Sequence, residues 1–457
     1  MQGDPATGFQ CLYETPGPPA LDMKTLFPKQ QGALDFFDRA HDNGHNTLDQ
    51  SDTGTGKTVV AVKLAKRQGK PLAVICPKAV IPAWRQELAE EGIEATFILN
   101  LEALRGGRKQ WVTKTGKKTY RWNLEPGTLV FVDEIHKCKG PFSQAAGLLV
   151  ALVKQGYSIH GMSGTSCEDP TEMRPLGLML KLHSGDQRKE GYKMWWPWMQ
   201  EYGCRRNHFK SWELADRSKL KYLRQIMYAT TTHRLSVDDF PDSFKLNRIF
   251  VQPMEFKENK KIVKAYEELG LTAEIIEDYI ENGTVTDTGH ILSDITRARR
   301  LAEALKVPDI CDLAKDLRDE GNSIVIFVNY SETIDGIQDI LECPKIDGRQ
   351  DAEERQRTIE AFQADEEHCI VVNSAAGGTG ISLHDTHGNR PRISLITPSF
   401  SCKTYMQVLG RIHRNGGKTD AIQYVLVSEG SIEQQVMRSV NRRLQNLKEL
   451  HNIDPHA

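Results

Sequence analysis

No stretch of this 457-residue sequence approaches the roughly 18 consecutive apolar residues that a membrane-crossing helix requires. Nor does the N-terminus carry the basic-then-apolar pattern of a secretory signal. The nine cysteines are scattered and include no C-x-x-C pair, which argues against both a zinc ribbon and a disulfide framework. Buried, reduced thiols in a cytosolic compartment are the expectation. An excess of charge of either sign is also missing: 59 Lys and Arg face 61 Asp and Glu, for a net charge of −2. The protein as a whole does not attract a polyanion, so any nucleic-acid site must be a local groove. There is no repeat of solenoid length.

What is present, 39% hydrophobic and 26% charged residues, describes a globular chain too long for one ordinary core. Short apolar runs at Leu72–Cys76, Leu129–Val132 and Ser158–Met162 read as strands in the first half, and Ile324–Val328, Ile370–Val372 and Ile393–Ile396 in the second. Because they are continuous rather than alternating, they predict strands covered on both faces, hence parallel sheets flanked by helices. The expected fold class is α/β with two lobes. A Gly/Pro-rich N-terminal arm spans 1–25. The first lobe covers 26–245 with insertions near 105–122 and 184–225, and the second covers 246–457 with a helical insertion near 255–320.

The chemistry begins at Asp52-Thr53-Gly54-Thr55-Gly56-Lys57-Thr58, which opens an apolar helical run. Glycines let backbone N–H groups approach phosphate oxygens, and the helix N-terminus adds its dipole. In this pattern Lys57 reaches the β- and γ-phosphates and the Thr58 hydroxyl ligates Mg²⁺. The strict P-loop places Gly where this chain has Ser51, a small residue that preserves the turn. Further on, the Leu129–Val132 run enters Asp133-Glu134-Ile135-His136. A buried strand ending in carboxylates delivers them to the edge of the sheet where α/β ligands sit. Asp133 is expected to hold Mg²⁺ through water, and Glu134 to position and deprotonate the attacking water.

Together these residues resemble superfamily-two helicases, and more narrowly the Swi/Snf-type ATPases, over about residues 24–445. The resemblance implies two RecA-like lobes with ATP and Mg²⁺ between them. Leu26 to Gln30 is similar to the upstream glutamine motif, in which Gln30 reads adenine. Cys76-Pro77-Lys78 through Trp84 and Asn100-Leu101-Glu102 resemble the DNA-contacting motifs of the first lobe. Ser163-Gly164-Thr165 resembles the motif that couples hydrolysis to lobe movement, with His136 a coupling residue of a DEAH-like box. In the second lobe, Ile346-Asp347-Gly348-Arg349, then Ser374 through Gly378, Thr379 and Gly380, and finally Gln407 through Arg411 and Arg414, follow the family pattern. By resemblance, Lys78, Asn100, Asn329, Arg349, Ser374 and Thr379 contact nucleic acid and Gly378 and Gly380 lie at the nucleotide. Gln407 acts in coupling, and Arg411 and Arg414 serve as arginine fingers. The form Arg411-Ile412-His413-Arg414 favours the Swi/Snf type over RNA helicases, and His233-Arg234 through Pro241 resembles its inter-lobe connection.

Three features lie outside these motifs. Residues 105–121 hold seven basic and no acidic side chains, with Trp111, Tyr120 and Trp122 interleaved or adjacent. The centre at Thr115-Gly116 suggests a β-hairpin. Lys114, Lys117 and Lys118 on it suit a phosphate grip with base-stacking aromatics, or else a solvated hairpin whose aromatics pack on the lobe. The Trp195-Trp196-Pro197-Trp198 cluster is expected to be core. The run from Ile432 to Leu450 predicts a helix folded back on the second lobe.

The expectation is an ATPase that translocates on double-stranded or branched DNA as a monomer, with no membrane partner. The alternatives are a strand-separating helicase, a non-motor nucleotide switch and an RNA helicase. The compartment is expected to be the cytoplasm of a prokaryotic or phage-infected cell, or the nucleus if the source is eukaryotic.

Overall fold

The computed structural model describes residues 25–107, 110–207, 210, 212–268, 289–377 and 381–451. The N-terminal arm, part of the 255–320 insertion, and Gly378, Thr379 and Gly380 therefore lie outside the described residues.

The first lobe is built on β1 (Thr47–Asp49), β2 (Leu72–Ile75), β3 (Ala95–Leu99), β4 (Val112–Lys114), β5 (Tyr120–Trp122), β6 (Leu129–Asp133), β7 (Ser158–Met162), β8 (Cys204–Arg206), β9 (Trp212–Leu214) and β10 (Thr232–His233). Six of these form a sheet in the order β10-β1-β7-β6-β2-β3, parallel throughout. β4–β5 and β8–β9 are separate antiparallel hairpins. The second lobe repeats the plan with β11 (Asn247–Met254), β12 (Ser323–Val328), β13 (Lys345–Ile346), β14 (Cys369–Asn373), β15 (Arg392–Ile396) and β16 (Ala421–Ser428). Their order is β11-β16-β15-β12-β14-β13, again all parallel. The chain thus has two RecA-like α/β lobes. β2, β12 and β15 are buried at every position, as their mainly apolar sequences require of strands covered by helices on both faces. Among the described residues no helix is long and apolar enough to cross a membrane.

One expectation is corrected. The helix Glu433–His451 packs Val436, Val440, Leu444 and Leu447 into the second lobe, but Leu450 belongs to the core of the first. His451 Nε2 lies 3.0 Å from Cys167 O, and Tyr228 Oη donates to His451 O at 3.3 Å. The helix is long enough for its last turn to leave one core and enter the other. For the hairpin aromatics, the structure matches the packing alternative rather than base stacking. Trp122 and Tyr120 are buried and Trp111 packs beside them against Phe97, so all three anchor the hairpin to the lobe. Trp195 and Trp198 are buried core residues.

Candidate functional site

Parallel strands bring their following loops to one edge of a sheet, and register decides which loops become neighbours. Asp49, Met162 and Asp133 are aligned across the adjacent strands β1, β7 and β6. The loop 50–56, the segment Ser163-Gly164-Thr165 and Glu134 consequently emerge side by side.

The loop after β1 turns at Gly54 and Gly56, whose φ values of +88° and +91° favour glycine, and enters the helix Lys57–Gln68. Gln30 closes it from one side: its Nε2 donates to Thr55 O at 2.8 Å, and a Cβ on Gly56 would collide with that nitrogen. Lys57 Nζ donates to Ser51 O at 2.7 Å and Asp52 O at 3.0 Å. From behind, Arg234 donates to both Asp52 carboxylate oxygens at 2.7 Å, and Val237 N donates to Asp52 Oδ2 at 3.1 Å. The hydroxyl of Ser51, the departure from the strict pattern, accepts a hydrogen bond from Leu235 N at 2.9 Å. The segment after β10 therefore tethers the phosphate-type loop.

Asp133 ends β6 with its carboxylate held by Trp84 Nε1 at 3.2 Å and by Glu134 N at 2.9 Å. Burial, then the adjacent Glu134 charge, pushes Asp133 above its ordinary range. Glu134 sits at φ 53°, ψ 47°, a left-handed conformation uncommon for a non-glycine residue. That turn brings its Oε2 to 3.0 Å from His136 Nδ1, which also lies 2.8 Å from Ser163 Oγ. Burial pulls against ionisation of Glu134, but the His136 hydrogen bond and the Lys57 and Lys403 charges outweigh it and hold the carboxyl below its ordinary range. His136 is pushed down to about 4 by burial and is neutral at pH 7. A half-buried anion, a neutral imidazole and a hydroxyl thus link β6 to β7.

The second lobe completes the site. Gln407 lies on the helix Cys402–Leu409, and Arg411 and Arg414 follow it. Arg411 NH1 and Arg414 NH2 both donate to Ile381 O, at 3.1 and 2.9 Å. A Cβ on Gly410 would lie 3.4 Å from Thr53 Cβ, and one on Gly54 3.8 Å from Arg414 Cα, so the two lobes touch at this loop. A cleft of about 360 Å³ is lined by Lys57, Thr58 and Glu134 from one lobe and Gln407, Arg411 and Arg414 from the other, with Gly164 and Thr165 between. Burial depresses both guanidinium groups, Arg411 to about 9 and Arg414 to about 10, yet leaves them charged at neutral pH. Crowding Lys57, buried Arg411 and half-buried Arg414 around a glycine-rich loop creates a pocket that an oligophosphate would stabilise.

The residues expected to meet nucleic acid lie on the same sheet edges. Exposed Lys78 follows β2, and Asn100, after β3, caps the helix Leu101–Arg105 by accepting from Ala103 N at 3.3 Å. Asn329, Arg349 and Ser374 follow β12, β13 and β14. The Asn329 amide donates to buried Glu303 at 2.6 Å and to Thr397 Oγ1 at 3.0 Å, while Arg349 is held by Asp335 and Asp347. Ser374 is buried. A larger cleft of about 860 Å³ also lies between the lobes, with Lys139, Phe142 and Trp196 facing Arg299, Tyr330 and Lys403. Sequence reasoning did not find Lys403. It stands one helical turn before Gln407, and burial brings it down to about 8 while the Glu134 charge opposes the shift. The helical spacing from Gln407 was the available signal.

The helicase conserved C-terminal domain model matches residues 305–416. Over 94% of this chain the Arabidopsis thaliana protein CHROMATIN REMODELING 24 is 22% identical. The Saccharomyces cerevisiae DNA repair and recombination protein RAD54 is 27% identical over 29% of it. The chain carries a helicase C-terminal domain and is similar along most of its length to helicase-type proteins, among them one named for chromatin remodelling. As such it is an ATP-hydrolysing enzyme. L364 of Acanthamoeba polyphaga mimivirus, named as an ATP-dependent RNA helicase, is 29% identical over 89% of this chain and 80% of its own length. The other two relatives are matched over only 46% and 15% of their lengths. The Sulfolobus solfataricus SWI2/SNF2 ATPase core in complex with dsDNA is 18% identical, covering 94% of this chain and 97% of that one, with a TM-score of 0.37.

Proposed function

We propose that this chain is a Swi/Snf-type motor that translocates on duplex or branched DNA, remodelling or displacing what is bound there. The observation that carries the reading is the shared cleft: Lys57 and Glu134 of one lobe face Arg411 and Arg414 of the other. Arginines supplied across a cleft neutralise charge developing on the transferred phosphoryl, an effect worth roughly 10³–10⁵ in rate elsewhere. Turnover then requires the lobes to be together, and successive closing and opening shifts one lobe past the other along a phosphate track. In this reading Lys57 and the loop N–H groups orient the phosphates. Glu134, held ionised beside His136, takes the proton of the attacking water.

The residues fit a divalent cation. Asp133 is a half-buried carboxylate raised by desolvation, with no cation hydrogen-bonded to it among the described residues, and Thr58 lines the same cleft. These two side chains would hold Mg²⁺, which when bound offsets the negative charge of the phosphates. The names of the relatives in DNA repair and chromatin remodelling support DNA as the track. RNA is the second reading, favoured by the name of the mimivirus relative.

ATPase rates compared on single-stranded, duplex, forked and four-way DNA and on RNA test the proposal. Stimulation by duplex or branched DNA, together with displacement of a triplex-forming strand, is expected. Turnover indifferent to all nucleic acids would leave a nucleotide switch, and stimulation by RNA alone would support the second reading.

A further inference from the structure

We infer that the β4–β5 hairpin grips the phosphate backbone of duplex DNA at the mouth of the larger inter-lobe cleft. The inference rests on the motor reading above and adds a contact outside the sheet-edge motifs. Residues 105–121 carry seven basic and no acidic side chains in a chain of net charge −2, so the positive charge is local. The inner side of the hairpin is apolar: Val112, Tyr120 and Trp122 are buried in the core of the first lobe. Trp122 Nε1 donates to Leu148 O at 3.1 Å, and Gln155 brackets the Trp122 backbone, its Oε1 accepting at 2.8 Å and its Nε2 donating at 3.0 Å. The base is thus fixed, and the lysines project from it.

Lys114, Lys117 and Lys118 are exposed, and among the described residues none is paired with a carboxylate. Arg105, by contrast, is neutralised by Glu102 at 2.8 Å. A fixed cluster of unpaired cations stores like-charge repulsion that a polyanion relieves, with release of its condensed counterions.

Gly147 determines where the cluster stands. It lies on the helix Gln144–Lys154, where a Cβ would collide with Lys118 O and sit 3.2 Å from the Tyr120 ring. The hairpin tip therefore rests directly on that helix. The residues leading into the helix, Gly140 to Phe142, line the large cleft. Gly147 sits four residues after Ser143, the N-cap of that helix, so the hairpin tip stands beside the cleft-lining segment. Lysines at this place meet the backbone of a duplex lying across the cleft and read no bases, because they offer point charges rather than bidentate donors.

The test is a salt series of binding by the full chain to duplex DNA of mixed sequence. The triple variant K114Q/K117Q/K118Q should flatten the slope of log affinity against log salt by about 2.7, three contacts at roughly 0.9 each. The triple variant K114R/K117R/K118R should retain the wild-type slope. Because the side chains are exposed, both variants should melt with the wild type. Wild-type binding with an unchanged slope in the glutamine variant would overturn the grip alone. So would an arginine variant as weak as the glutamine one. A wild type that binds no duplex would overturn the motor reading as well.

Discussion

Arg443, on the helix Glu433–His451, reaches out of the second lobe and donates to Glu168 of the first. Glu168 also receives Lys139 at 3.0 Å, Lys139 bonds Glu172 at 2.6 Å, and Arg443 lies 3.9 Å from Glu172. Two cations and two carboxylates, all largely shielded from solvent, join the lobes beside the large cleft. Removing one partner from such a cluster leaves buried charge uncompensated, which typically costs about 3–5 kcal/mol. Glu168→Gln should destabilise the protein by about 3 kcal/mol in urea unfolding. It should also raise hydrogen exchange in the last turns of the helix. Adding Arg443→Met should recover part of the loss, and a strictly additive double variant would show that the two residues do not interact.

Within the nucleotide cleft, three substitutions should separate binding from turnover. Lys57→Ala should weaken nucleotide binding, since the lysine charge is lost from the loop. Glu134→Gln keeps the shape but not the base, so it should bind nucleotide and abolish turnover. Arg414→Ala should bind nearly normally and lose at least about 10³ in kcat. Equilibrium nucleotide titration beside steady-state ATPase rates reads all three, and an active Glu134→Gln enzyme would remove Glu134 from the role of base.

Ser51→Gly restores the strict P-loop sequence, yet it should destabilise the protein. The Ser51 hydroxyl accepts from Leu235 N in a buried setting, and a buried N–H left unpaired costs about 1–3 kcal/mol. A melting temperature lowered accordingly is expected. One equal to or above that of the wild type would show that glycine relieves more strain than the hydrogen bond supplies.

Acid should weaken the fold through buried histidines. Burial pushes His41, His183 and His451 down to about 4 from an ordinary value of 6.5. Between those pH values the unfolded chain binds more protons than the folded one, so stability rises with pH across the window and falls on acidification. Each histidine contributes up to about 3 kcal/mol across that window. Unfolding free energies measured from pH 7 to pH 4 should show a steep decline, shallower in His183→Gln. A flat profile would mean that these rings are accessible to solvent protons.

Much of the fold was legible before any coordinates. Mainly apolar runs without regular alternation marked β2, β6, β7, β12, β14 and β15, because strands covered on both faces need no polar alternation. The three-residue β1 and the two-residue β13 are too short to have a pattern. The half-exposed edge strand β11 mixes polar and apolar residues, and it too escaped notice. In the cleft, the glycines flanking Thr55 and the carboxylates after Val132 were readable because their chemistry depends on spacing along the chain. The tether from Arg234 to Asp52 was not, since 182 positions separate its partners.

The sequence by itself determined the two parallel sheets, the glycine-rich loop and the placing of Asp133 and Glu134 at a strand end, all set by local periodicity and turn chemistry. Tertiary structure decided which groups share a space. It set Arg411 and Arg414 against a loop more than 350 residues earlier, committed Asn329 to Glu303, and turned the hairpin aromatics inward. It also sent Leu450 into the opposite lobe. Those choices come from packing and charge compensation between distant segments, and no local pattern encodes the partner.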